Sequence, residues 1–257
     1  MSDHAVAFSA PLGANIRPAG LSASTEATTD VPVPWGYRWR LYILFISQLP
    51  AAILGDLCGL SDGPWYHPHF HPVRMWTALA VASLGLALRV WAAAHLSVKT
   101  MASKKAEGDD FVCSGPYRIC RNPLYVGSLL QCFAYGLQFG WMFAALFAGA
   151  HFWRYGSIVR YEEQELRRSA PEPFALYCAK VSQWWPNLFD RAVWQGPFFS
   201  WAAIAGNSLF VGLWMGLLVN VCAGTTFWFG IVEVASVIPM IWYHYPRKGI
   251  VAENTSH

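Results

Sequence analysis

Charge is scarce in this sequence. Only 13% of its 257 residues are charged, while 55% are hydrophobic and 14 are Trp. A soluble domain needs more charge than this at its surface, so the balance points to a polytopic membrane protein. The net charge of +3 is too small to argue for nucleic acid, and no basic patch interleaves with stacking aromatics outside the apolar runs. Cys58, Cys113, Cys120, Cys132, Cys178 and Cys222 form no C-x-x-C pair and no regular framework. We therefore expect free thiols and no structural zinc. The first residues lack a basic stretch followed by an apolar run, so no signal peptide is expected. Residues 1–34, rich in Ala, Ser, Thr and Pro, read as a disordered cytoplasmic tail. No internal repeat is evident.

Long apolar runs are what the sequence does have. A helix needs about 20 mostly apolar residues to cross the hydrocarbon core. Six segments come near this, over 39–57, 75–98, 123–139, 141–160, 198–221 and 227–243. The third is short and joins the fourth through little more than Gly140. The fifth and sixth form a second hairpin around Ala223-Gly224-Thr225. The expected fold is all-α: a transmembrane helical bundle with a four-span core over 35–192 and an added hairpin over 193–257. Gly136-x-x-x-Gly140 and Gly212-x-x-x-Gly216 suit close helix packing within it.

Basic residues give the orientation. Arg38 and Arg40 precede the first span. Lys99, Lys104, Lys105, Arg118 and Arg121 lie between the second and third, and Arg160, Arg167, Arg168, Lys180 and Arg191 between the fourth and fifth. Arg247 and Lys248 follow the sixth, and the other side shows only Arg74. Both termini and both long loops are expected to be cytoplasmic.

The two loops hold nearly all the polar side chains. The first ends in GPYRICRNPLYVG, residues 115–127. Asn122 before Pro123 reads as an N-cap and first helical residue. Arg118 and Arg121 then stand at the positive end of a helix, a place that suits a carboxylate or phosphate. The same arginines also suit simple anchoring at lipid headgroups. The second loop opens with RYEEQEL, residues 160–166, on a helix expected to run to about Ser169. Glu162 and Glu163 are adjacent and so point to different faces, and Glu163 pairs with Arg167 at i,i+4. Taken alone, this run is a solvated face. Taken together, the loops leave the membrane on one side and offer both signs of charge, enough to clamp a zwitterion.

GPYRICRNPLYVG, a hairpin, RYEEQEL and then FALYCAKVSQWWPNLF resemble the isoprenylcysteine carboxyl methyltransferase and phospholipid methyltransferase superfamily. LRVWAAAHL, residues 88–96, is similar to a helix of that core, and the resemblance spans about residues 75–190. It implies a cytoplasmic site for S-adenosylmethionine, zwitterionic at its amino-acid end. By that resemblance Arg118 and Arg121 serve the cofactor carboxylate or the acceptor's anionic group, and Glu162 or Glu163 the ammonium or ribose. Tyr125, Gly127 and Tyr177 match positions near the cofactor. The family pattern has His where this chain has Asn122, and Asn does not titrate near neutral pH. A proton-accepting role therefore falls to a Glu of the acidic pair, with Arg121 and Glu163 as the expected catalytic residues.

The implied reaction is a direct displacement at the sulfonium methyl, which asks the protein for alignment and exclusion of water. The expected acceptor is lipophilic, bearing a carboxylate, thiol or amine, and enters from the bilayer. The extra hairpin is a candidate for shaping that entrance or pairing two copies into a homodimer. A bacterial inner membrane is expected, or the endoplasmic reticulum for a eukaryotic chain. Two other readings stand beside this one. NADPH-dependent membrane sterol reductases share a similar R-x-x-R-H-P stretch. A non-catalytic scaffold or metal-binding module is suggested by His67, His69 and His71, which alternate in WYHPHFHP near Asp62. Arg89 and Glu233 are isolated charges inside spans, and Glu233 is a candidate partner for Arg89 or Arg154. His95 and His151 read as packed histidines.

Overall fold

The structure, a computed structural model, describes residues 43–44, 46–62, 69–96, 112–185, 194 and 196–224. The expected tail, His67 and the expected sixth span with Glu233 lie outside the described residues. Among the described residues all regular structure is helical. The helices are α1 (Gln48–Leu57), α2 (Pro72–Ala94), α3 (Pro123–Gly136), α4 (Trp141–Ser169), α5 (Pro171–Lys180), α6 (Trp201–Gly206) and α7 (Ser208–Ala223).

Proline sets three of the starts. Pro72, Pro123 and Pro171 each open a helix, where a fixed φ helps and the missing N–H costs nothing. At 23 residues, α2 is about 34 Å long. Among the described residues it is the one helix long and apolar enough to cross a membrane, by length and composition. The apolar α7 is shorter. The 29 residues of α4 extend about 43 Å, more than the roughly 30 Å of a hydrocarbon core. Its last turns carry the acidic pair, and the helix ends at Ser169 as its sequence suggests.

The bundle core joins α2, α3, α4 and α7 through Met75, Ala78, Leu79, Cys132, Tyr135, Phe143, Phe147, Phe210 and Leu213. Phe139, Phe143 and Phe147 form a ladder with ring centroids 5.0 and 5.8 Å apart, continued by His151 at 4.7 Å from Phe147. The turn between α3 and α4 depends on two glycines. Gly140 has φ +152°, which side-chain-bearing residues rarely adopt. A Cβ on Gly136 would stand 2.5 Å from the Ala144 Cα, so the two helices touch backbone to backbone. At this end of the bundle Arg74, buried at 3% exposure, pairs with Asp62 and donates to the His69 and Gln138 carbonyls at 3.0 and 3.2 Å.

The expected fifth span differs. It is broken at Asn207 into α6 and α7. The Asn207 side chain donates to the Ala203 carbonyl at 2.7 Å and accepts from Arg89. A buried arginine thus fixes an amide at a point that hydropathy alone reads as continuous helix.

The glycine at position 136 gives a test. Gly136→Leu should destabilise the bundle by about 2 kcal/mol or more, because the clash is with backbone that cannot move aside. Gly149, with nothing within 4 Å of its added Cβ, should accept Ala without loss. Thermal melts in detergent compare the two.

Candidate functional site

The site starts at the turn Gly115–Arg118. Gly115 has φ +54°, and a Cβ there would lie 2.2 Å from the His95 ring. Glycine is needed for conformation and for space alike. Past this turn the chain passes Cys120 and Arg121 and enters α3 at Pro123. Arg121 holds four oxygens. Its Nε and Nη2 donate to Glu163 Oε1 and Oε2 at 3.0 and 3.4 Å, and its Nη1 to the Val181 and Cys178 carbonyls at 2.8 and 3.4 Å. The Arg121 backbone N–H adds a bond to the Ser182 carbonyl at 2.9 Å. The paired side chains are only 13% and 10% exposed, so the attraction is poorly screened and the planar fork suits the carboxylate. Arg167 stands 3.8 Å from the same carboxylate, from the expected i,i+4 position.

Glu162 follows the helix about 100° round and accepts from the Tyr125 hydroxyl at 2.7 Å. The Tyr125 ring lies 5.0 Å from that of Tyr155. Asn122 occupies the N-cap position of α3, and its carbonyl accepts from Tyr125 and Val126. Its side chain does not cap: Nδ2 donates to the Gln183 carbonyl at 3.3 Å. The amide fastens the segment after α5 to the start of α3, which corrects the expectation that it satisfies its own helix.

Arg121, Asn122, Tyr125, Glu162 and Glu163 therefore converge where α3 begins, α4 leaves the bundle and α5 ends. Tyr177 borders them, its hydroxyl donating to the Tyr117 carbonyl at 2.6 Å. Arg118 is half-buried at the end of the Gly115–Arg118 turn. Gly127 faces elsewhere, into the α2–α3 seam, where a Cβ would meet Arg89 Cγ at 2.5 Å. Sequence reasoning passed over Tyr117, which lies inside the motif, and the Cys178, Val181, Ser182 and Gln183 carbonyls. A main-chain acceptor has no residue signature by which to find it.

Burial sets the titration of the neighbours. It pushes the Tyr117 phenol up, an effect the nearby Glu162 carboxylate reinforces, and it raises Tyr177 well above the ordinary phenol range. It pushes the Cys120 thiol up to about 11 and raises Cys113 too. These phenols and thiols stay neutral near pH 7, which leaves arginines and carboxylates as the charged chemistry of the site. Among the described residues no group of three or more His, Cys, Asp or Glu is placed to hold a metal ion.

Both motifs fall within a segment that matches a known family. Residues 73–169 match the phospholipid methyltransferase family, so the recognition drawn from GPYRICRNPLYVG and RYEEQEL holds over the segment that contains both. Two bacterial relatives extend the comparison. The chain is 29% identical over 151 residues to the cobalt-zinc-cadmium resistance protein CzcN of Cupriavidus metallidurans, covering 58% of this chain and 62% of that one. It is 30% identical over 151 residues to the nickel-cobalt-cadmium resistance protein NccN of Alcaligenes xylosoxydans xylosoxydans, covering 58% and 63%. The match thus spans less than two thirds of either relative. No solved structure matches the chain.

Two measurements probe this geometry. Glu163→Ala leaves Arg121 buried without its counter-charge and should cost about 3–5 kcal/mol. Glu165→Ala removes only the more exposed pair with Arg168 and should cost no more than about 0.5 kcal/mol. Cys120, 2% exposed, should resist maleimide at pH 8 in the folded protein. A raised thiol pKa means that thiolate forms only as pH climbs towards 11. Labelling at pH 8 should appear once the chain is unfolded, as peptide mapping would show.

Proposed function

We propose that this protein is an integral membrane methyltransferase that uses S-adenosylmethionine and acts on a lipophilic acceptor. The observation that carries the proposal is the Arg121–Glu163 fork beside the Tyr125–Glu162 bond. It gathers both signs of charge from two motifs 42 residues apart. These residues fit the cofactor's zwitterionic end. A guanidinium suits its carboxylate, two carboxylates suit its ammonium or ribose hydroxyls, and a phenol adds a neutral donor. When bound, the cofactor supplies a methyl group on a cationic sulfur. Arg121 and Glu163 hold the polar end in register, and Tyr125 keeps Glu162 aimed. A carboxylate or thiolate acceptor requires no base, and for an amine acceptor Glu163 takes the proton. Asn122 positions the neighbouring chain and exchanges no proton.

The proposal includes the membrane arrangement: six spans, both termini in the cytoplasm, the polar site at the cytoplasmic surface and an acceptor reached from the bilayer. The basic residues between the apolar runs support that orientation, as does α4 extending past hydrocarbon thickness with its charged turns. A role linked to metal resistance is a second reading, favoured by the names of both relatives. Zn²⁺ and Cd²⁺ binding to the purified chain, with and without His67, His69 and His71, separates it from methyl transfer.

The direct test is calorimetric titration of S-adenosylhomocysteine into the protein in detergent. Glu162→Gln and Glu163→Gln should each weaken binding by about tenfold or more, a loss of roughly 1.4 kcal/mol. Tyr125→Phe should have a smaller effect in the same direction. Unchanged affinity in both glutamine variants would sink the assigned roles.

A further inference from the structure

Two arginines address Glu163, and each is held differently. All three side-chain nitrogens of Arg121 donate to protein oxygens: two to the Glu163 carboxylate and one to the Cys178 and Val181 carbonyls. At 13% exposure this group is fixed from inside the molecule. Arg167 stands one helical turn past Glu163 on the last turns of α4. Its guanidinium carbon lies 6.0 Å from the centre of the Phe174 ring of α5. Its side chain is 63% exposed, and its Nη2 is 3.8 Å from Glu163 Oε2. That distance lies within reach of charge but beyond hydrogen-bond length. Such a pair is weak, because water screens it and a long side chain must be ordered to keep it. Arg168, the next residue, is turned to another partner and donates to Glu165 Oε1 at 2.9 Å.

The contrast decides how a zwitterion would be received, and the inference rests on the reading proposed above. An ammonium beside a carboxylate asks for an anion and a cation within reach of each other. Arg121 is a poor choice for the cation. Turning it to a ligand would strip Glu163 of its fork and two carbonyls of their donor, in a place that water hardly reaches. Arg167 can leave Glu163 at little cost, and it is mostly open to water already. We infer that Arg167 is the exchangeable cation of the site. In this structure it rests near Glu163 Oε2. When a ligand binds, Glu163 exchanges Arg167 for the ligand's ammonium, and Arg167 turns its planar fork to the adjoining carboxylate. Arg121 stays on Glu163 throughout and acts by orienting it. The ligand class follows from the exchange: a molecule that ends in an α-amino acid group, with both charges on one carbon.

Calorimetry on the full chain in detergent tests this with two probes. S-adenosylhomocysteine carries the amino-acid end, and its decarboxylated analogue keeps the ammonium but lacks the carboxylate. Arg167→Gln should weaken S-adenosylhomocysteine by about tenfold. It should bind the analogue at least as tightly as the parent does, because Glu163 has lost a competing cation. Arg168→Gln removes a neighbouring charge of similar exposure, 55% against 63%, and should leave both affinities unchanged. The inference is overturned if Arg167→Gln binds S-adenosylhomocysteine as the parent does, if it loses both probes alike, or if Arg168→Gln shows the same loss. In each of those cases the parent binds S-adenosylhomocysteine, so the methyltransferase reading stands without it. A parent that does not bind S-adenosylhomocysteine removes that reading and the exchange together.

Discussion

The fork between Arg121 and Glu163 is the contact on which the polar end of the molecule depends. The guanidinium receives support from the last turns of α4, from the end of α5 and from the segment that follows it. Its own backbone N–H is bonded to that segment as well. A point charge on a flexible stem would not reach these oxygens together. The planar, always-charged group does. Because both partners are largely out of water, the pair trades a large desolvation cost for attraction plus carbonyl bonds. The neighbouring Tyr125–Glu162 and Asn122–Gln183 contacts follow from it, since the fork fixes where α3 begins relative to α4.

Much of this end was legible beforehand because its signals are local. Asn-Pro marks the start of α3, the glutamates mark the polar last turns of α4, and the glycine at 140 marks the hairpin. The residues that converge were visible as two motifs of opposite sign. What escaped notice was long-range. The Asn122 side chain serves a segment 61 residues away, and nothing beside it in the chain says so. Asn207 hides in an apolar run, where averaging over a window dilutes a single amide. At the α6–α7 break the Asn207 side chain accepts from Arg89, 118 residues away in the chain.

Polar side chains inside the bundle give it a defined register. In lipid, apolar side chains gain little by choosing one helix face over another, so small residues and hydrogen bonds discriminate. The buried Gln131 amide donates to the Ala82 carbonyl at 2.9 Å, joining α3 to α2. Asn220 of α7 donates to Gln138 Oε1 at 3.4 Å, and Trp214 Nε1 to Ser83 Oγ at 2.8 Å. These bonds fix the rotation of α2, α3 and α7 against one another, and so fix where Arg89 points.

Gly85 and Gly127 bring α2 and α3 so close that a methyl on Gly85 would stand 2.8 Å from the Gly127 carbonyl oxygen. A hydrocarbon tail needs about 4 Å between its carbons and every neighbour. At that height the two helices form a wall that an acyl or prenyl chain cannot slip through. The α2–α3 seam is therefore shut at the level of these two glycines.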